Sequence, residues 1–192
     1  MTDDGPVLPL LGPDATRAAL DAAGLPDRLQ GVNLLRTALH HTGIAKVIGD
    51  AIDAIVLSGT LDARLRELAI MRVGWRLGAA YEWGNHYALA RRVGVTDAEI
   101  TAVREHDPAA LGTVERLVVR VVDEVLDGVS VTATTLRDVR DHLADDAALL
   151  ELVMIPACYR AIGTLLLTFN GPLEDGIGSW PPDGRAPATP PT

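Results

Sequence analysis

Residues 66–93, RELAIMRVGWRLGAAYEWGNHYALARRV, limit what this chain can become more than any other stretch. Apolar residues recur every three or four positions, so the segment reads as two consecutive helices rather than strands. Gly78-Ala79-Ala80 leaves a short link that folds the second helix back on the first. At about 100° per residue, Glu67 shares a face with Ala63, Ile70, Met71, Gly74 and Gly78. The charged face of that helix is expected near Arg72 and Arg76. Gly74 and Gly78 allow close approach of another helix. On the second helix, Glu82 and His86 stand one turn apart and share a face with Ala79, Leu89 and Val93. Both acids and the imidazole therefore point inward, and the hairpin brings them near one another. A buried carboxylate must find a partner or rise in pKa. Two carboxylates beside a histidine titrate together and leave one group poised for proton transfer.

The rest of the chain reads as scaffold. With 192 residues, 48% of them hydrophobic, it has material for one well-cored domain. Aromatics are scarce at 4%, while Ala, Leu and Val abound, and no stretch alternates with period two, so the expected fold is all-α. Residues 1–13 are expected to form an arm, 14–170 a single all-helical domain, and 171–192, with six prolines, a tail wandering over the surface, pinned by Trp180. Helices are expected from Pro13 to Gly24 and from Asp27 to His41. A third apolar stripe follows from Ile44 to Val56. Ser58-Gly59-Thr60 is a stop before the hairpin. Thr96 and Glu99 form a capping box. Further helices are expected over 111–126, 131–143 and 146–170, the last kinked at Pro156. Leu149–Phe169 is apolar enough to raise the membrane question, but Glu151, Pro156 and Arg160 favour a core helix.

Charge and cysteine content narrow the function. A net charge of −9 disfavours nucleic acid and anionic membranes as partners and suits a cytoplasmic protein. The N-terminus lacks the basic and apolar regions of a signal peptide. The one cysteine, Cys158, cannot form an internal disulfide or a CxxC redox pair and reads as a core residue. Trp83, three residues before His86, either borders the same site or anchors packing. Tyr81 and Asn85 flank the polar face and are candidates for a pocket edge. Arg160, expected to be buried in the last helix, either pairs with Glu67 or Glu82 or clamps a substrate carboxylate. His40 and His41 are expected to cap a helix end, and His106 and His142 to face solvent. Three readings of the cluster compete: acid-base catalysis by Glu67, Glu82 and His86, a buried polar cluster that fixes helix register, and a metal site built from the same three groups.

RELAIMRVGWRLGAAYEWGNH and the following ARRVGVTDAEI resemble the carboxymuconolactone decarboxylase family, which includes the alkyl hydroperoxidase D-like proteins. LLRTALHH upstream and LLELVMIPACYRAIGTLLLTFNGPLE downstream match more weakly, so the resemblance runs from Asn33 to Asp175. It implies an all-helical domain built on a helical hairpin and assembled into trimers or hexamers. In peroxidase-type members a glutamate, a CxxC pair and a histidine relay protons and electrons. The glutamate matches Glu67 and the histidine His86, but the cysteine positions hold Ala79 and Glu82. The decarboxylase members need no thiol, metal or organic cofactor and use a histidine in acid-base chemistry on a small lactone acid. The resulting expectation is a cofactor-independent lyase or isomerase acting on a small lactone, carbonyl or carboxylate compound. In it His86 is the acid/base, Glu82 orients His86 and tunes its pKa, and Glu67 completes the relay. The alternative is a non-catalytic small-molecule-binding or assembly subunit of the same fold, with thiol peroxidase activity ranked last.

Overall fold

The structure, a computed structural model, describes residues 5–105 and 108–188. The first four residues, the last four, and the expectation for His106 lie outside them. Among the described residues there are nine α-helices and no strand. In chain order they are α1 Pro13–Ala23, α2 Asn33–Ala38, α3 Thr42–Ile52, α4 Ala63–Leu77, α5 Ala80–Arg92, α6 Asp97–Ala102, α7 Thr113–Gly128, α8 Ala133–Arg140 and α9 Asp146–Phe169.

The expected helix from Asp27 to His41 divides into a 3-10 turn, Asp27–Leu29, and α2, which begins only at Asn33. Gly31 and the extended Val32 separate the two pieces. His41 does not end a helix either. It is the N-cap of α3, where its Nδ1 accepts from the Ile44 N–H. The stripe after Gly43 runs as α3 and then a π-helical turn, Asp53–Leu57. The Thr96–Glu99 capping box forms, with each residue satisfying the other's backbone N–H.

α4 is the centre of the molecule and packs against α5, α7 and α9. It starts at Asp62, whose carboxylate accepts from the Arg64 and Leu65 N–H groups, and stops at Gly78 with φ 65°. That left-handed conformation favours glycine and turns the chain straight into α5. Close packing of the hairpin needs Gly74, because a Cβ there would come within 3.2 Å of the Trp83 nitrogen and 3.3 Å of the Glu82 Cβ. Arg72 does not lie on a solvated face, as its phase on the helix had suggested. It is buried in a bidentate pair with Asp123 of α7, and it also donates to the Val103 and Glu105 carbonyls. Four charge-assisted bonds offset the cost of taking the guanidinium out of water.

α9 is long and apolar enough to cross a membrane by length and composition alone. Here it is a core helix, uninterrupted through Pro156, with Leu152, Ile155, Tyr159, Ile162 and Leu166 buried. Leu152 and Ile155 are fully enclosed in the core between α4, α7 and α9, each contributing about 2 kcal/mol by burial.

The tail beyond α9 is held at several points. Trp180 packs against Trp75 and Trp83, with ring centroids 5.9 and 6.0 Å away. The Trp83 Nε1–H donates to the Pro181 carbonyl. The buried Arg104 pairs with Asp183 at 2.9 Å and lies over the Trp75 and Trp83 rings. The expected pinning by Trp180 therefore holds, and the described part of the tail, residues 171–188, is tied down through Trp180, Pro181 and Asp183 rather than wandering. Gly84 of α5 is where it comes closest, since a Cβ there would sit 2.5 Å from the Gly178 carbonyl oxygen. Gly84→Ala gains about 1 kcal/mol in helix propensity, yet it forces the tail off α5. Limited proteolysis should therefore cut residues 171–188 faster in the variant, and an unchanged cleavage rate would contradict this packing.

Candidate functional site

The hairpin joins Glu67 of α4 to His86 of α5 inside the core. The Nδ1 of His86 lies 2.8 Å from the Glu67 Oε2, and the Glu67 side chain is fully buried. Arg66 closes on the other oxygen, with its Nε and Nη2 each 3.0 Å from Oε1. Burial pushes the Glu67 carboxyl up, but the hydrogen bond and charge of His86, together with Arg66, outweigh it and hold the group below its ordinary value. Glu67 is thus an anion that only accepts, so the Nδ1 of His86 carries a hydrogen and donates it. The second ring nitrogen, Nε2, is left for chemistry.

Nε2 faces Glu82, 4.0 Å from its Oε2. That distance is too long for a hydrogen bond. Glu82 is buried and its Oε1 has no hydrogen-bond partner. Burial pushes its carboxyl up to about 7; the charge of Glu174 adds to the rise and that of His86 opposes it. Glu67 and Glu82 are therefore opposite in character although both are buried: one is neutralised by an arginine and an imidazole, while the other has no cation hydrogen-bonded to it.

A cavity of about 250 Å³ opens beside them, lined by Glu82, His86, Tyr81, Asn85, Tyr159 and Glu174 among mainly apolar side chains. The Tyr159 ring meets the His86 ring edge-on, with centroids 5.2 Å apart, and fixes the imidazole plane. Glu174 reaches in from the tail. Its carboxylate accepts from the Asn33 backbone N–H, the Tyr81 hydroxyl and the Asn85 amide. Burial and the nearby Glu174 charge push the Tyr81 phenol well above its usual value, so it remains a donor.

Residues 43–124 match the model of the carboxymuconolactone decarboxylase family, a span that includes Glu67, Glu82 and His86. Over that span, a little under half of its length, the chain is similar to the carboxymuconolactone decarboxylase family. Its fold is also that of an uncharacterized peroxidase-related protein from Ralstonia eutropha JMP134 with an alkylhydroperoxidase AhpD core. That crystal structure is 17% identical, the match covers 91% of this chain and 95% of that one, and the TM-score is 0.72. No curated protein matches.

The hairpin brings Glu67, Glu82 and His86 together and adds Tyr81 and Asn85 at the cavity edge. Their expected division of labour changes, because Glu67 rather than Glu82 holds the imidazole. Arg160 does not join them. It is exposed and donates to the Leu126 carbonyl, because the helical phase of α9 turns its neighbour Tyr159 inward instead. Trp83 is a packing anchor with Trp75 and Trp180 and is absent from the cavity wall. Among the described residues no group of His, Cys, Asp or Glu forms a metal-binding set. Glu67 and Glu82 approach opposite ring nitrogens of His86 and so do not converge on one ion. Three residues went unread in the sequence. Arg66 adjoins Glu67 and helical neighbours seldom face each other, Tyr159 was passed over for Arg160, and Glu174 lies in a proline-rich tail. The GPLE segment just after α9 was the available signal for Glu174.

The carboxyl of Glu82 ionises near 7 in the folded chain against 4.5 when free. The folded state therefore holds more protons between those values, so this group's contribution to stability falls as pH rises through that window. Glu82→Gln should remove that fall. Between about pH 5 and about pH 8, urea unfolding should show the variant gaining on the order of 3 kcal/mol relative to wild type. A difference that does not change with pH would contradict the unpartnered state of Glu82.

Proposed function

We propose that this protein is a cofactor-independent acid-base enzyme, a lyase or isomerase, acting on a small carbonyl or lactone compound. The observation that carries this reading is the gap between His86 Nε2 and Glu82. At 4.0 Å the two groups do not satisfy each other, and both line one cavity, where a carbonyl oxygen could meet Glu82 while the adjacent carbon meets Nε2. A cluster serving only to fix helix register would not leave the Glu82 Oε1 without a partner beside a cavity.

In such a reaction His86 Nε2 takes a proton from the carbon next to a carbonyl. The neutral Glu82 carboxyl gives its proton to the carbonyl oxygen, so the enolate never carries a full charge. Returning both protons, at the same carbon or at another, restores the two groups. Glu67 keeps its negative charge and stabilises the imidazolium formed in between. A thiol route is disfavoured, because Cys158 lies on another groove and its thiol is pushed up by burial.

Exchange of carbon-bound hydrogen for deuterium tests this reading without knowledge of the natural product. Small enolisable ketones and lactones are incubated with the protein in heavy water and followed by NMR. Exchange should be catalysed by wild type and fall by roughly 10²–10⁴-fold in His86→Ala, with the fold retained. Equal exchange in the variant would rule out His86 as the base, and no exchange over background would favour a binding role.

We also propose that copies of the chain assemble through the outer faces of α3 and α9. Val47, Leu150 and Met154 are exposed there, and an apolar groove of about 400 Å³ lies between the π-helical turn and α9. Light scattering should then report a particle larger than the 20.3 kDa chain; a monomer would contradict assembly.

A further inference from the structure

The charges around the His86 cavity are one-sided. Glu82 and Glu174 line it, and among the described residues no arginine or lysine does. Two arginines that the sequence placed near these groups are occupied elsewhere. Arg66 is paired with Glu67 behind the imidazole, and Arg160 is exposed and bonded to the Leu126 carbonyl. A carboxylate entering the cavity would meet two carboxyl groups and no cation to pair with. Any positive charge that His86 takes up is already matched by Glu67 on its far side.

Glu174 is also built into place. Three donors from two helices converge on it: the Asn33 N–H, the Tyr81 hydroxyl and the Asn85 amide. The Asn33 side chain donates to the Pro172 and Leu173 carbonyls and fixes the segment that carries it. This is more machinery than a surface tail needs. Its second independent mark is the buried Glu82 oxygen that lacks a partner in the same cavity.

We infer that the cavity admits uncharged or cationic compounds and rejects carboxylates, with Glu174 as the residue that sets this selectivity. The inference rests on the reading of the His86 cavity as the reaction site. It narrows the substrate to a neutral carbonyl or lactone, or a carbonyl compound carrying an amine. It also favours proton transfer over loss of carbon dioxide, because a carboxylate substrate would be excluded at entry.

Three probes of nearly one shape separate the cases: benzamide is neutral, benzamidine cationic and benzoate anionic. Each is titrated into the full-length protein at about pH 8, with binding read by NMR and located by shifts of the His86 ring signals. Benzamide and benzamidine should each bind at least roughly tenfold more tightly than benzoate, and Glu174→Gln should narrow that gap. Benzoate binding as tightly as benzamide in wild type would overturn the inference, as would the absence of any probe from His86. An unchanged gap in Glu174→Gln would remove Glu174 from the role. Asn85→Ala offers a second route, since it loosens Glu174 without changing charge and should leave benzoate disfavoured; loss of the preference there would also count against the inference. Binding is read without turnover, so failed hydrogen exchange would overturn the catalytic reading and leave this result standing.

Discussion

The hydrogen bond between Glu67 and His86 is the interaction around which the rest of the molecule is arranged. It crosses the α4–α5 hairpin inside the core, at 2.8 Å, with the carboxylate fully out of water. Such a bond exists only if three conditions are met. The hairpin must be tight, which Gly78 and Gly74 permit. The carboxylate must have a counter-charge, which Arg66 supplies. The imidazole must be held in one plane, which the Tyr159 ring does from α9. Breaking one partner of a buried charged pair typically costs about 3–5 kcal/mol, so the surrounding helices are tied to this contact as much as it is to them.

That contact makes the two faces of the imidazole unequal. On the Nδ1 side there are an anion and an arginine. On the Nε2 side there is a cavity, a carboxyl with an unpartnered oxygen and a third carboxylate brought in by the tail. The same residue type therefore serves in three ways. Glu67 is kept ionised by its partners, Glu82 is kept protonated toward neutrality by burial, and Glu174 is fixed by three donors. Environment, not identity, sets the role of each. The tail, anchored by Trp180 and by Asp183 on Arg104, is the part that makes the third carboxylate available.

Much of this was legible in the residue order, and the limits have physical causes. Helical phase was enough to place Glu67, Glu82 and His86 inward, because 3.6-residue periodicity is a local property. It could not say which carboxylate meets which ring nitrogen, since that depends on the offset between two helices. Phase also failed for Arg72: long side chains on a helix flank reach a distant aspartate, and Asp123 lies 51 residues away. Arg160 and Tyr159 differ by one position and thus by about 100°, and a helix apolar on nearly all sides gives no phase to say which of them faces inward; Tyr159 does. Glu174 was hidden for another reason. Proline-rich segments carry no periodicity, and only its tertiary partners, Asn33, Tyr81 and Asn85, define what it does.

The tautomer of His86 tests the central claim most directly. In protein labelled with ¹⁵N at histidine, two-bond nitrogen–hydrogen correlations identify which ring nitrogen carries the proton in the neutral ring. The arrangement described here requires Nδ1–H bonded to Glu67, with an unprotonated Nε2 facing Glu82 and the cavity. An Nε2–H tautomer would mean that Glu67 does not hold the ring as an anionic acceptor, and the proposed acid-base role of Nε2 would fall with it.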